Sequence, residues 1–213
     1  MFRYLTFSLV ALGLYGCGHT PLTRTLFDAA GWTTSVDTAK LNPNYQYLRV
    51  STPERAILMV LGYVDDTPEG KIETWYSKAG QVIRLKDGRL HSTQGFPVDW
   101  TMVAYRYLPS WSSATAWGHS RFTRYRDEMP GYKVGVFDEI ALRTINPPHD
   151  SRLSGIPPDK LTWVEETTYA LPRNTPSARY GLTFANGLGV VVYGEQCLNS
   201  GFCLAWQTWP AKS

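Results

Sequence analysis

Four histidines, four acidic doublets and a cluster of tryptophans and arginines are the side chains here whose types and spacing bear on chemistry. His19, His91, His119 and His149 lie far apart in the chain, which suits surface or half-buried residues better than a shared metal shell. The doublets Asp65-Asp66, Asp127-Glu128, Asp138-Glu139 and Glu165-Glu166 place neighbouring carboxylates on opposite faces of any strand that carries them. A glycosidase needs two carboxyl groups about 5–9 Å apart across one cleft, so no doublet supplies that pair by itself. No G-x-S-x-G elbow, Walker loop or H-E-x-x-H pattern occurs. The expectation is a protein with no catalytic residues, no metal and no cofactor other than a covalent lipid.

The aromatic and arginine content offers binding instead. Trp100, Trp111 and Trp117 fall in the least regular stretch, close to Arg106, Arg121, Arg124 and Arg126. Tryptophan and tyrosine rings stack on the apolar C–H faces of sugars, and the guanidinium fork binds uronic carboxylates. The same residue types are enriched at protein interfaces. Glycan contact and partner contact both remain open for this cluster, whereas Trp75, Trp163 and Trp206 read as core residues of a small β protein.

The three cysteines divide into one and two. Arg3 opens the chain, an apolar run over 5–15 follows, and Leu14-Tyr15-Gly16-Cys17 closes it. The run is shorter than the roughly 20 residues a spanning helix needs, and the layout is that of a secretory signal. The final four residues resemble the bacterial lipobox. In that reading residues 1–16 are removed, the Cys17 thiol carries diacylglyceryl and the new amine is acylated. Gly18, where an inner-membrane retention signal has Asp, favours the outer membrane, with the body facing the periplasm. Cys197 and Cys203 flank Leu198-Asn199-Ser200-Gly201-Phe202, a segment able to turn the chain back, and such neighbours pair in an oxidising compartment. No histidine or further cysteine stands near enough to complete a zinc shell, and a disulfide is expected.

Positioning these residues falls to strands. A formal charge of +3, no long run of one sign, 14% aromatics, 18 glycines and 14 prolines suit many short strands and give no reason to expect nucleic acid. Thr20 and Pro21 open a short helix expected over 19–30, and a second brief turn is expected over 36–41. Strands are expected over 45–50, 56–64, 72–76, 81–86, 89–94, 102–108, 121–125, 133–144, 161–171, 178–185, 188–193 and 203–209. The unbroken apolar run at 56–64 reads as covered on both faces. Asp87-Gly88 and Asn186-Gly187 predict tight hairpin turns with both residues at positive φ. The proline-rich connection over 146–160 is where two sub-halves would meet. The expected architecture is all-β. Antiparallel meanders form a barrel- or sandwich-like body over 45–213, behind a lipidated and partly helical linker over 17–44.

Several segments in this order resemble one known family. They are Leu58-Met59-Val60-Leu61-Gly62, Trp75-Tyr76-Ser77, Leu85-Lys86-Asp87-Gly88-Arg89-Leu90, Thr93 and Gly95-Phe96-Pro97. Met129-Pro130-Gly131-Tyr132, Tyr193-Gly194-Glu195-Gln196-Cys197 and Phe202-Cys203 complete the set. Together they are similar to the YjbF/GfcB-type lipoproteins. The resemblance implies an all-β periplasmic body on an outer-membrane lipid anchor, associated with exopolysaccharide or capsule production and export, and attaches no enzymatic activity. The partners it implies are an acidic exopolysaccharide and periplasmic or barrel components of the export system. A polysaccharide-modifying enzyme and a purely structural envelope adaptor are the alternatives.

Overall fold

The structure, a computed structural model, describes residues 35–68, 70–112, 121–169 and 177–211. Cys17, the signal segment, the helix expected over 19–30 and Trp117 lie outside them. A 3-10 turn at Val36–Thr38 leads into the strands. These are β1 (Tyr47–Ser51), β2 (Ala56–Thr67), β3 (Gly70–Ser77), β4 (Val82–Lys86), β5 (Arg89–Gln94) and β6 (Asp99–Arg106). They continue with β7 (Arg121–Met129), β8 (Lys133–Ile145), β9 (Thr162–Thr168), β10 (Ala178–Ala185), β11 (Leu188–Asn199) and β12 (Phe202–Trp209).

The strands make one twelve-stranded antiparallel sheet in which β12 returns to pair with β1, so that β5 and β6 are left at its two ends. The result is a nearly closed barrel. Period-two alternation sets its inside and outside: on β7, Phe122, Arg124, Arg126 and Glu128 are buried while the residues between them face outward. Ile83 and Leu85 of β4 are buried in the same way. The tight turns form as expected, with φ of 48° and 79° at Asp87 and Gly88 and of 51° and 77° at Asn186 and Gly187. Cys197 and Cys203 face each other across the β11–β12 hairpin and are bonded.

One expectation changes. The 56–64 run is not covered on both faces: within β2 only Met59 is buried, and Gly62, Tyr63 and Val64 are exposed. A barrel wall has one inner and one outer surface, and a shift in register between Leu61 and Tyr63 leaves Tyr63 beside Tyr76, ring centroids 6.4 Å apart. The 146–160 connection packs against the barrel wall, where β8 and β9 on either side of it pair directly. Leu153 and Ile156 cover a second apolar cluster of Leu161, Trp163, Tyr193 and Ala205. The Gln207 amide exchanges two hydrogen bonds with the Ser154 backbone, at 2.9 and 2.6 Å, and Trp163 Nε1 donates to the Pro158 carbonyl at 2.8 Å.

Trp206 seats the β12 wall against the opposite turn, its Nε1 donating to the Gly88 carbonyl at 3.1 Å. It lies flat on Gly194, where an added Cβ would meet the indole at 2.5 Å. Gly194→Ala is therefore expected to cost about 1–3 kcal/mol by overpacking, measured by denaturant unfolding. Reduction of the Cys197–Cys203 bond is expected to cost about 2 kcal/mol through the short loop it closes, read as a lower unfolding temperature in reductant.

Candidate functional site

The tryptophans and arginines expected to form one contact surface do not share one. Trp100 sits inside β6 rather than in a loop and is fully buried, with the guanidinium carbons of Arg124 and Arg126 4.6 and 4.7 Å from its ring centroid. Both arginines bind Asp138 of β8: Arg124 Nε donates to Oδ2 at 2.9 Å and Arg126 Nε at 2.7 Å. Arg126 also pairs with Glu128, and Arg124 Nη1 donates to Gln196 Oε1 at 3.2 Å. Burial removes Trp100, Arg124 and Arg126 from any outward-facing surface; the period of two along β6 and β7 turned them inward. Arg121 lies outside, paired with Glu139 at 3.1 Å and 5.4 Å from the Tyr169 ring, and Arg106 is exposed, 5.7 Å from the Tyr125 ring.

The acidic doublets split as their alternation requires. Glu128, Asp138 and Glu166 point inward and each holds an arginine, so these inward carboxylates are ion-paired. Burial pushes the Asp138 carboxyl up, but the hydrogen bond from Arg126 and the charges of Arg124 and Arg126 outweigh it and hold the group below its ordinary 3.8. Among the described residues no cluster of three or more His, Cys, Asp or Glu is placed to hold a metal ion.

Among the described residues of the set, Trp111 is the one that lines a cavity. β5 and β6 stay together at their connected end, where Asp99 accepts the Gly95 and Phe96 N–H groups at 2.9 and 3.3 Å. Beyond it the seam is bridged by side chains: Thr93 Oγ1 accepts the Trp100 N–H at 3.0 Å, and the Tyr105 hydroxyl donates to the Leu90 carbonyl at 2.7 Å. Burial pushes the Tyr105 hydroxyl up to about 12, which keeps it a donor. At this seam a cavity of about 1140 Å³ lies between β4, β5 and β6 on one side and β11 and β12 on the other. Tyr107, at φ 59°, turns the chain off β6 and is 86% exposed among the cavity-lining residues.

Past that turn Trp111 is tied to two hairpins. Its Nε1 donates to the Asp87 carbonyl at 2.8 Å, and its carbonyl accepts the Gly189 N–H at 3.0 Å. Its ring lies 5.3 Å from Tyr180 and 3.3 Å from the Arg89 guanidinium carbon. Arg89, 1% exposed, bonds Glu166 Oε1 through Nε at 2.7 Å. The sequence reading missed Arg89 and His91 as site residues. The signal available was their place just past the Asp87-Gly88 turn, on a strand whose partners are far away in sequence.

No family model matches the chain, and no curated protein matches it. Among solved structures, the hypothetical lipoprotein YmcC from Escherichia coli (K12) is similar, with a TM-score of 0.57 at 16% identity. The similarity covers 92% of this chain and 98% of that one. At that identity the likeness is one of fold.

Asp138→Asn is expected to cost about 3–5 kcal/mol, because two buried guanidinium groups lose their shared carboxylate; urea unfolding measures it. Since folding depresses the Asp138 carboxyl, its contribution is complete above the ordinary 3.8 and is lost as pH falls below that through the folded value. The acid limb of a stability–pH profile should therefore flatten in Asp138→Asn relative to the wild type.

Proposed function

We propose that this protein is an outer-membrane lipoprotein, anchored through Cys17 with its β-barrel facing the periplasm, that assists exopolysaccharide or capsule assembly or export without enzymatic activity. It acts by binding glycan or by docking onto other export components. The observation that carries the reading is a fold shared along nearly the whole of two chains with a protein described as a lipoprotein, behind a segment ending Leu14-Tyr15-Gly16-Cys17. The polysaccharide link rests on the ordered motifs similar to the YjbF/GfcB-type lipoproteins. A cavity lined by tyrosine, tryptophan and arginine supports the glycan half of the mechanism. Ion-paired inward carboxylates favour it over the polysaccharide-modifying enzyme.

The anchor is tested with Cys17→Ser. Each buried methylene contributes about 0.8 kcal/mol and stable anchoring needs more than one chain, so the variant should lose palmitate label and leave the membrane fraction. A variant that stays membrane-bound, with a wild type that takes up no label, refutes the anchor. Deletion in the host, with polymer measured at the surface and in the periplasm, tests the role. Lower surface polymer with periplasmic accumulation is expected, and unchanged polymer in both places refutes the export reading.

A further inference from the structure

We propose that the cavity at the β5–β6 seam binds a carboxylate-bearing sugar unit of a glycan, with Arg89, His91 and Tyr107 as its contacts. The inference rests on the glycan half of the function proposed above and gives it a place and a ligand class.

Apart from Arg126 Nη1, which is ion-paired with Glu128, two buried side-chain polar atoms lack a hydrogen-bond partner among the described residues: Arg89 Nη2 and His91 Nδ1. Both belong to residues that line the same cavity. A buried donor without an acceptor costs about 1–3 kcal/mol, and a ligand that brings the missing partner recovers it. Arg84 pairs with Ser92 and Leu85 with Leu90, so His91 is the extra residue of a β-bulge and has no partner on β4.

The two atoms specify different chemistry. Arg89 Nη2 only donates, and its fork suits a carboxylate oxygen. Burial, with the charges of Arg84 and Lys86 adding to it, lowers the His91 imidazole and keeps it neutral, so the ring has one donor and one acceptor to offer. A ligand with a carboxylate and a hydroxyl answers both. Lys71 and Lys86 line the cavity alongside Glu73 and Asp87, so these charges balance and the call for an anion comes from the Arg89 fork.

An apolar surface is also required, since a small inorganic anion would leave most of the space unfilled. Pockets that take drug-sized ligands measure roughly 300–1,000 Å³, so 1140 Å³ has room for more than one sugar ring. The 86%-exposed Tyr107 offers a ring among the lining residues. A uronic acid combines carboxylate, hydroxyls and C–H faces in one unit.

The test is titration of the lipidated protein in detergent with trigalacturonate and with neutral maltotriose, followed by calorimetry and tryptophan fluorescence. Trigalacturonate should bind with a Kd near or below about 1 mM and maltotriose about tenfold more weakly. Arg89→Met would strand Glu166 and endanger folding, so the variants are Tyr107→Ala and His91→Phe, which leave that pair intact. Each should weaken trigalacturonate binding about tenfold with an unchanged unfolding temperature. No response at about 10 mM trigalacturonate overturns the proposal. So does binding that both variants retain in full, or equal binding of the two sugars. Any of these results, with surface polymer still lost on deletion, leaves the export reading standing. Unchanged polymer on deletion with cavity binding intact does the reverse.

Discussion

Guanidinium–carboxylate pairing inside the barrel is the constraint on which the rest of this structure depends. Eight strands enclose a space that side chains just fill, and twelve enclose more. Here aliphatic residues are supplemented by long arginines and broad indoles, with Arg89, Arg124 and Arg126 balanced by Glu128, Asp138 and Glu166. Each guanidinium also lies over an aromatic ring: Arg89 on Trp111, Arg124 and Arg126 on Trp100. Such pairs contribute little relative to a well-packed apolar core, yet breaking one strands a buried charge. They therefore specify which residues face each other across the barrel more than they raise its stability.

The same interior explains where the barrel does not close. β12 and β1 meet in a regular ladder, whereas β5 and β6 are joined by Thr93, Asp99 and Tyr105 side chains. The space this leaves is crossed by Trp111, which bonds the turn after β4 and the start of β11. A seam held by side chains can leave room for a ligand where a continuous ladder would fill the space. The cavity, the bulge at His91 and the unusual backbone at Tyr107 all occur around it. On the outer wall, the 146–160 segment covers Trp163 and Tyr193 and so protects an apolar patch that a two-faced wall would otherwise expose.

The strand sequence, both primed turns, the all-β class and the Cys197–Cys203 bond were legible from residues alone, because each depends on neighbours within a few positions. A turn needs two residues able to adopt positive φ, a strand needs alternation, and a short hairpin brings its own cysteines together. Trp100 shows the limit: the sequence marked it as a binding aromatic beside arginines, and the arginines are indeed its neighbours, but inside. Period two tells that Arg124 and Arg126 share a face; it does not tell which face is the interior when both carry polar residues. The 56–64 run failed for the converse reason, an apolar stretch lying in a wall with one dry side.

Only the tertiary structure decided what spans long separations. Arg89 meets Glu166 across 77 residues, Trp100 meets the Leu198 carbonyl across 98 and Trp206 meets the Gly88 carbonyl across 118. Barrel closure sets those distances, because it converts a linear meander into a ring whose opposite walls share one interior. The sequence by itself determined which segments extend and where they reverse, since those are local backbone preferences. Which polar groups find partners, and which are left facing a cavity, follows from the radius and register of the closed sheet.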